Sequence, residues 1–256
     1  MALHSYSFVT WEKKGSSTKF NEEQYFSTMK TALLMEELVT KHTDIMDKYD
    51  PQGKVALIVD EWGGWYEVEE GTNPGFLYQQ NTMRDAMIAG VTLNIFNNHS
   101  KRVRMANLAQ TVNVLQAVIL TKGDKMLLTP TYHVMKLYKA HHDAKLLPVK
   151  VASPEYKFGS ETLPAISASA SVKDGKTHIS LVNIHATDKV TTEIDLKSLN
   201  LKDFTAQIIT SSKLQDHNSF EKPDTITPKA FKDFKVKNGI LTVTLPPFSV
   251  IVFEAK

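Results

Sequence analysis

The run Asp60-Glu61-Trp62-Gly63-Gly64-Trp65-Tyr66 brings two carboxylates, two indoles and a phenol together, directly after the apolar segment Val55 to Val59. Apolar residues without alternation, following the Pro51-Gln52-Gly53 turn, predict a strand buried on both faces. Catalytic groups collect at the carboxyl ends of parallel strands, because the strand holds position while the loops beyond it vary. Glu61 is well placed for that. Successive strand residues point to opposite sides, so Asp60 and Glu61 are not expected to share a pocket or to work as a paired acid and base. Indole and phenol rings offer flat apolar faces with polar edges, a surface on which sugar rings stack. A carboxylate beside such rings at a strand end is what glycoside hydrolysis needs. The bland alternative is an acidic surface loop with buried Trp anchors.

Other chemistry-bearing groups are weaker. His141-His142-Asp143 invites a metal reading, but adjacent histidines on a helix end point about 100° apart and no third ligand stands at a useful spacing. A solvated helix end, favourable for cations, is the expectation there. Asn97-Asn98-His99 would line a site if it ends a strand, or form a turn. There is no Gly-rich phosphate loop and no cysteine, which removes disulfides, thiolate metal sites and a Cys nucleophile together. No metal and no cofactor are expected.

The elements that must position these residues alternate strand and helix before residue 121, the pattern of a parallel sheet covered by crossover helices. Leu3 to Val9 predicts the first strand. Asn21 with Gln24 makes a capping box, and Phe26, Met29, Leu33 and Leu38 give a helical stripe. A second helical stretch is expected at Asp44 to Lys48. After the Val55 strand, Gln80 to Ala89 predicts helix, Gly90 a stop, Val91 to Phe96 a third strand, and Val103 to Leu120 a long apolar-faced helix. Three strand-helix units cannot close a barrel, which needs eight. A hairpin over Gly123 to Leu128 and a last helix, Thr131 to His141, capped by Thr129-Pro130, complete this part.

From about residue 148 the pattern changes to short alternating segments: Ala165 to Val172, His178 to Asn183, Val190 to Leu196, Thr205 to Thr210, Phe234 to Val236 and Ile240 to Leu245. Asp174-Gly175 and Asn238-Gly239 are strong turn dipeptides between them, and an antiparallel sandwich is the natural expectation. Pro247 to Glu254 is apolar on both faces, so it should be an interior strand. A boundary near Leu147 divides the chain into 1–147 and 148–256.

Composition agrees with a folded chain: 42% of the 256 residues are hydrophobic, and a net charge of +2 is too small for a nucleic-acid binder. That total hides an uneven distribution, with 14 acidic against 8 basic side chains through residue 100 and a net positive remainder. All three tryptophans precede residue 66. No apolar run approaches a membrane span, and Met1 to Thr10 lacks the order of a signal peptide, reading instead like the middle of a domain. No nucleic acid and no membrane are expected as partners. A homo-oligomer is compatible with the sequence, and the compartment is left open.

Val59-Asp60-Glu61-Trp62-Gly63-Gly64-Trp65-Tyr66, Ala106-Asn107-Leu108-Ala109-Gln110-Thr111-Val112-Asn113-Val114 and Thr129-Pro130-Thr131-Tyr132-His133-Val134 resemble, in that order, the C-terminal half of the glycoside hydrolase family 51 α-L-arabinofuranosidases. The resemblance runs from about residue 3 to the end. It implies a fold of α/β plus all-β class, the last three βα units of a (β/α)8 TIM barrel followed by an antiparallel β-sandwich. It also implies a retaining hydrolase that releases terminal arabinofuranose from arabinan or arabinoxylan, with arabinose-containing polysaccharides or oligosaccharides as partners. By that resemblance Glu61 is the nucleophile, and Tyr6 of the His4-x-Tyr6 motif orients it. His4, Trp65 and Gln110 contact substrate. From the residues alone, Tyr6 could equally be an ordinary strand-end aromatic, Gln110 an exposed helix residue, and Trp62 a packing residue.

One departure from the family matters more than these. A retaining glycosidase needs a second carboxyl about 5 Å from the first. The family supplies it in a Gly-Asn-Glu motif that does not occur in these 256 residues. Glu67, Glu69 and Glu70 belong to a polar loop and are not assigned the role. The expectation is a C-terminal fragment that carries the nucleophile, lacks the acid/base and is inactive or nearly so alone. A non-catalytic carbohydrate-binding or accessory module is the alternative, although residues 148–256 contain no Trp and only Tyr156 as a Tyr. A different retaining glycosidase on a related barrel is the third.

Overall fold

A computed structural model describes all 256 residues. Strand β1 (Ala2–Ser7) leads through helix α1 (Glu22–Tyr49) to β2 (Leu57–Gly64), and β2 leads through α2 (Met83–Asn98) to β3 (Val103–Leu108). The three strands form one parallel sheet in the order β1-β2-β3. The expected capping box opens α1: the Asn21 side chain accepts from the Gln24 N–H at 3.0 Å, and the Gln24 side chain accepts from the Asn21 N–H at 3.1 Å. Its buried stripe is Tyr25, Phe26, Met29, Ala32, Met35, Val39 and Met46. The separate helix expected at Asp44 to Lys48 is the end of this same 28-residue helix. Strand β2 begins later than expected and continues through Gly64, so the Asp60 to Gly64 motif lies within the strand.

The third strand-helix unit is inverted relative to expectation. Residues 83–98, expected as helix, glycine stop and strand, form the single helix α2, and Val103 to Leu108, expected to start a long helix, is strand β3. The cause is burial. Helix α2 touches α1 and β2 on one side and strands of the second half of the chain on the other. A helix enclosed in this way is apolar around its circumference and loses the amphipathic period by which helices are recognised. Gly90 is there for closeness. A Cβ on it would lie 2.9 Å from Val182 Cγ2 and 3.0 Å from Val250 Cγ2. Conversely β3, with Arg104, Met105 and Asn107 exposed, is followed by a loop whose apolar residues fall by coincidence at helical spacing.

The hairpin β4 (Ile119–Lys122) and β5 (Lys125–Leu128) precedes α3 (Pro130–Tyr138), where Thr129 accepts from the Tyr132 N–H at 3.3 Å as expected of an N-cap. Then follow β6 (Lys145–Leu147), the hairpin β7 (Glu155–Phe158) and β8 (Glu161–Pro164), and the hairpin β9 (Ile166–Lys173) and β10 (Lys176–Asn183). The chain closes with β11 (Val190–Asp195), β12 (Thr205–Ile209), β13 (Lys229–Ala230), β14 (Phe234–Lys237), β15 (Ile240–Leu245) and β16 (Ser249–Ala255). A six-stranded sheet runs β13-β12-β16-β10-β9-β6, and a three-stranded antiparallel sheet runs β11-β15-β14. Strand β16 lies between β12 and β10 with both faces buried, as its sequence predicts. The Asp174-Gly175 and Asn238-Gly239 turns have positive φ at both residues, the geometry for which such dipeptides are suited.

The two sheets meet through Phe234 on Phe253, ring centres 5.2 Å apart. One cluster of 50 buried residues runs from α1 through α2 into both sheets. Asn97-Asn98-His99 belongs to this joint and not to a strand end. Asn97 and Asn98 donate to Ser169 Oγ at 3.0 Å and the Ala168 carbonyl at 2.9 Å, and His99 Nε2 meets Glu36 at 2.6 Å. Strand β6 pairs with β9, so the last residues before position 148 already belong to the six-stranded sheet.

Candidate active site

Three parallel strands put their carboxyl ends at one edge, and the loops after Ser7, Gly64 and Leu108 surround it. Register is the local determinant. Leu3 pairs with Val59 but His4 pairs with Glu61, and toward β3 Val59 pairs with Ala106 while Trp62 pairs with Leu108. Both steps leave extra residues on β2 around Asp60, a bulge that re-aims side chains. The expected alternation therefore fails: both carboxylates reach one imidazole. His4 Nε2 is 3.0 Å from Asp60 Oδ1, and His4 Nδ1 is 3.5 Å from Glu61 Oε2.

Tyr6 Oη donates to Glu61 Oε2 at 2.6 Å. Burial, then the hydrogen bond to the neighbouring carboxylate and its charge, push the phenol far above its ordinary range, so Tyr6 remains a donor. One carboxylate oxygen is thereby held and the carboxyl plane fixed, while Oε1 accepts no hydrogen bond. Trp65 packs edge-to-face on Tyr6, ring centres 5.1 Å apart, and its backbone N–H donates to the Ser7 carbonyl at 2.8 Å. Gln110 is exposed in the loop just past β3, at the same strand end, with its N–H on the Val114 carbonyl at 3.1 Å. It does not lie on a helix. Trp62 is buried against Phe96, ring centres 5.6 Å apart, and packs the core.

Several supporting residues escape sequence reasoning. Gly64 N–H donates to Gln116 Oε1 at 2.5 Å, and the Gly64 carbonyl accepts from Gln79 Nε2 at 3.0 Å. Gln79 Oε1 takes the Tyr66 N–H at 2.8 Å. Gln116 Nε2 continues to the Asp85 carbonyl at 2.8 Å and Thr131 Oγ1 at 2.9 Å, and Asn81 donates to the same hydroxyl at 2.9 Å. The Thr129-Pro130-Thr131 motif is thus part of the frame behind the strand. Directly behind Gly64, where a Cβ would lie 2.9 Å from Tyr66 Oη and 3.0 Å from Asp85 Oδ1, no side chain fits. Arg84 is fully buried, its guanidinium 3.6 Å from the Tyr66 ring centre and 3.8 Å from that of Phe20. Burial pushes the Asp85 carboxyl up to about 6, against the opposing pull of Arg84. The adjacent Arg84 and Asp85, the only charged residues of α2, were the available signal, since such residues are almost never fully buried without partners.

The His141 expectation is overturned in part. His142 is exposed, but His141 is buried, with Nδ1 at 2.7 Å from Ser171 Oγ and Nε2 at 2.6 Å from Ser180 Oγ. It ties the end of α3 to β9 and β10, and burial, aided by His178 and His142, lowers its pKa to about 4. In the polar loop, Glu69 accepts from the Ser17 hydroxyl and, at 3.1 Å, from the Gln80 N–H. Tyr156 is fully buried and donates to Glu22 at 3.0 Å, so it offers no platform for a sugar.

A family model described as the alpha-L-arabinofuranosidase C-terminal domain matches residues 60–249. An intracellular exo-alpha-L-arabinofuranosidase of Bacteroides ovatus is 46% identical over 99% of this chain and 50% of its own length. Among solved structures, the GH51 arabinofuranosidase of Xanthomonas axonopodis pv. citri superposes with a TM-score of 0.97 at 46% identity, over 100% of this chain and 52% of that one. The alpha-L-arabinofuranosidase of Thermotoga maritima, solved as an arabinose complex, gives 0.79 at 25% identity over 99% and 52%. The chain spans about half the length of each of these relatives.

Proposed function

This chain belongs to the family 51 α-L-arabinofuranosidases, and on that premise we propose that it is the portion of such an enzyme that carries the catalytic nucleophile, Glu61. In this reading residues 1–147 are the last three βα units of a (β/α)8 barrel and residues 148–256 an antiparallel β-sandwich. The reaction is retaining release of terminal arabinofuranose from arabinan or arabinoxylan. Glu61 Oε1 attacks the anomeric carbon, the bond to the leaving oxygen breaks, and water then hydrolyses the glycosyl-enzyme ester. Tyr6 aims the carboxylate. His4, Trp65 and Gln110 bind the sugar.

The observation that carries this reading is the 2.6 Å contact from the Tyr6 hydroxyl to Glu61 at the strand end, beside Trp65. With no Gly-Asn-Glu in the chain, the leaving oxygen receives no proton. Losing a general acid costs on the order of 10² to 10⁴ in rate. The chain by itself is therefore inactive or nearly so on ordinary arabinosides.

A dinitrophenyl leaving group needs no acid, so incubation with 2,4-dinitrophenyl α-L-arabinofuranoside tests the nucleophile alone. Mass spectrometry should find one arabinosyl increment on the peptide containing Glu61. The increment is absent in Glu61→Gln and forms more slowly in Tyr6→Phe. An unmodified wild-type chain would remove Glu61 from the role. Turnover of an unactivated aryl arabinofuranoside, abolished by Glu61→Gln, would refute the missing-acid part.

A further inference from the structure

Trp11 is 60% exposed, yet its indole is held on several sides. It packs edge-to-face on Phe8 with ring centres 5.6 Å apart and on Trp65 at 6.2 Å. Lys14 Nζ sits 4.5 Å from the Trp11 ring centre and 5.2 Å from that of Trp65, and donates to the Trp11 carbonyl at 3.0 Å. Scattered exposed apolar residues are ordinary, but this one ends a continuous line. Glu61 takes the Tyr6 hydroxyl, Tyr6 packs on Trp65, and Trp65 packs on Trp11.

The line runs outward from the carboxylate into the loop after β1. An indole fixed in place loses little freedom when a ligand covers it, and its flat face suits the C–H face of a sugar ring. The ammonium, drawn to the ring quadrupoles, has three N–H donors, of which the Trp11 carbonyl takes one. The remaining donors are free for hydroxyl groups.

We propose that Trp11 and Lys14 form a second sugar-binding surface, for the saccharide unit to which the arabinofuranose at Glu61 is linked. This rests on the glycosidase reading of Glu61 and extends it outward by one unit. Specificity for what lies beyond the cleaved bond would then reside in the loop after β1.

Calorimetry and indole N–H resonances test it, using the 256-residue chain with L-arabinose and with α-1,5-linked arabinobiose. The three indoles make three distinguishable signals, with the buried Trp62 as internal control. Arabinose should shift Trp65 alone, and the disaccharide both Trp65 and Trp11. The disaccharide should bind about three- to tenfold more tightly, the range a single aromatic contact supplies. Trp11→Ala should bring that ratio close to one, and Trp11→Phe should keep part of it. A Trp11 signal indifferent to the disaccharide, with Trp65 still responding, would sink the second surface and leave the parent reading intact. An unchanged ratio in Trp11→Ala would sink it as well. If neither sugar shifts Trp65, both readings fall together.

Discussion

Gly90→Ala sets two effects against each other in the middle of α2. In an open helix the substitution stabilises by up to about 1 kcal/mol, and burying the new methyl adds roughly 0.8 kcal/mol. Against this, the Cβ would stand 2.9 Å and 3.0 Å from one methyl each of Val182 and Val250, where carbon atoms prefer about 3.5 to 4.0 Å. The two valines are direct cross-strand partners in β10 and β16, and both are fully buried. Neither turns aside easily, because β-branched side chains are stiff at χ1. Relief has to come from lifting the helix. Overpacking of this kind costs about 1 to 3 kcal/mol; with two stiff neighbours met at once the upper end applies, and it outweighs the combined gain of about 1.8 kcal/mol by about 1 kcal/mol. At about 2 to 4 °C per kcal/mol for a chain of this size, Tm should fall by about 2 to 4 °C. Denaturant titration of Gly90→Ala, Val182→Ala and the double variant is the direct assay. The double variant should recover at least about 1 kcal/mol relative to additivity, since Val182→Ala vacates the space. A Gly90→Ala chain as stable as wild type, with additive energies in the cycle, would refute the packing argument.

Two buried titrating groups give further predictions. Asp85, with a folded pKa of about 6 above its usual value, favours the neutral carboxyl in the folded chain. Its contribution is therefore lost as pH rises through about 4 to 6, by roughly 3 kcal/mol. The stability of Asp85→Asn relative to wild type should climb across that window, and a flat difference would contradict it. His141, lowered to about 4, favours the neutral ring. Its contribution is present above about 6.5 and declines as pH falls toward 4, again by about 3 kcal/mol. The two slopes oppose each other in wild type, so His141→Gln should lose stability more steeply than wild type as pH rises from about 4 to 7, measured by denaturation.

The order of residues by itself determined what depends on near neighbours along the chain. Asn21 and Gln24 cap α1, Thr129 caps α3, and the Asp174-Gly175 and Asn238-Gly239 turns join their strands, because each device acts within a few residues. The apolar β16 was legible as an interior strand for the same reason, and adjacency put Glu61 and Trp65 at one strand end, whereas Tyr66, expected beside them, is buried behind Gly64 against Arg84. Tertiary structure decided the rest. Helix α2 is enclosed by two layers, so burial erased the period that would have distinguished it from a strand, and Gly90 answers to Val182 and Val250 from residues far along the chain. His141 was a helix-end histidine until β9 and β10 supplied Ser171 and Ser180. The bulge at Asp60 exists only through register with β1 and β3, and it turns both carboxylates toward His4. Gln79 and Gln116 become the frame of Gly64 only after the loops have folded back, since a hydrogen bond between residues 52 positions apart leaves no mark on the local pattern.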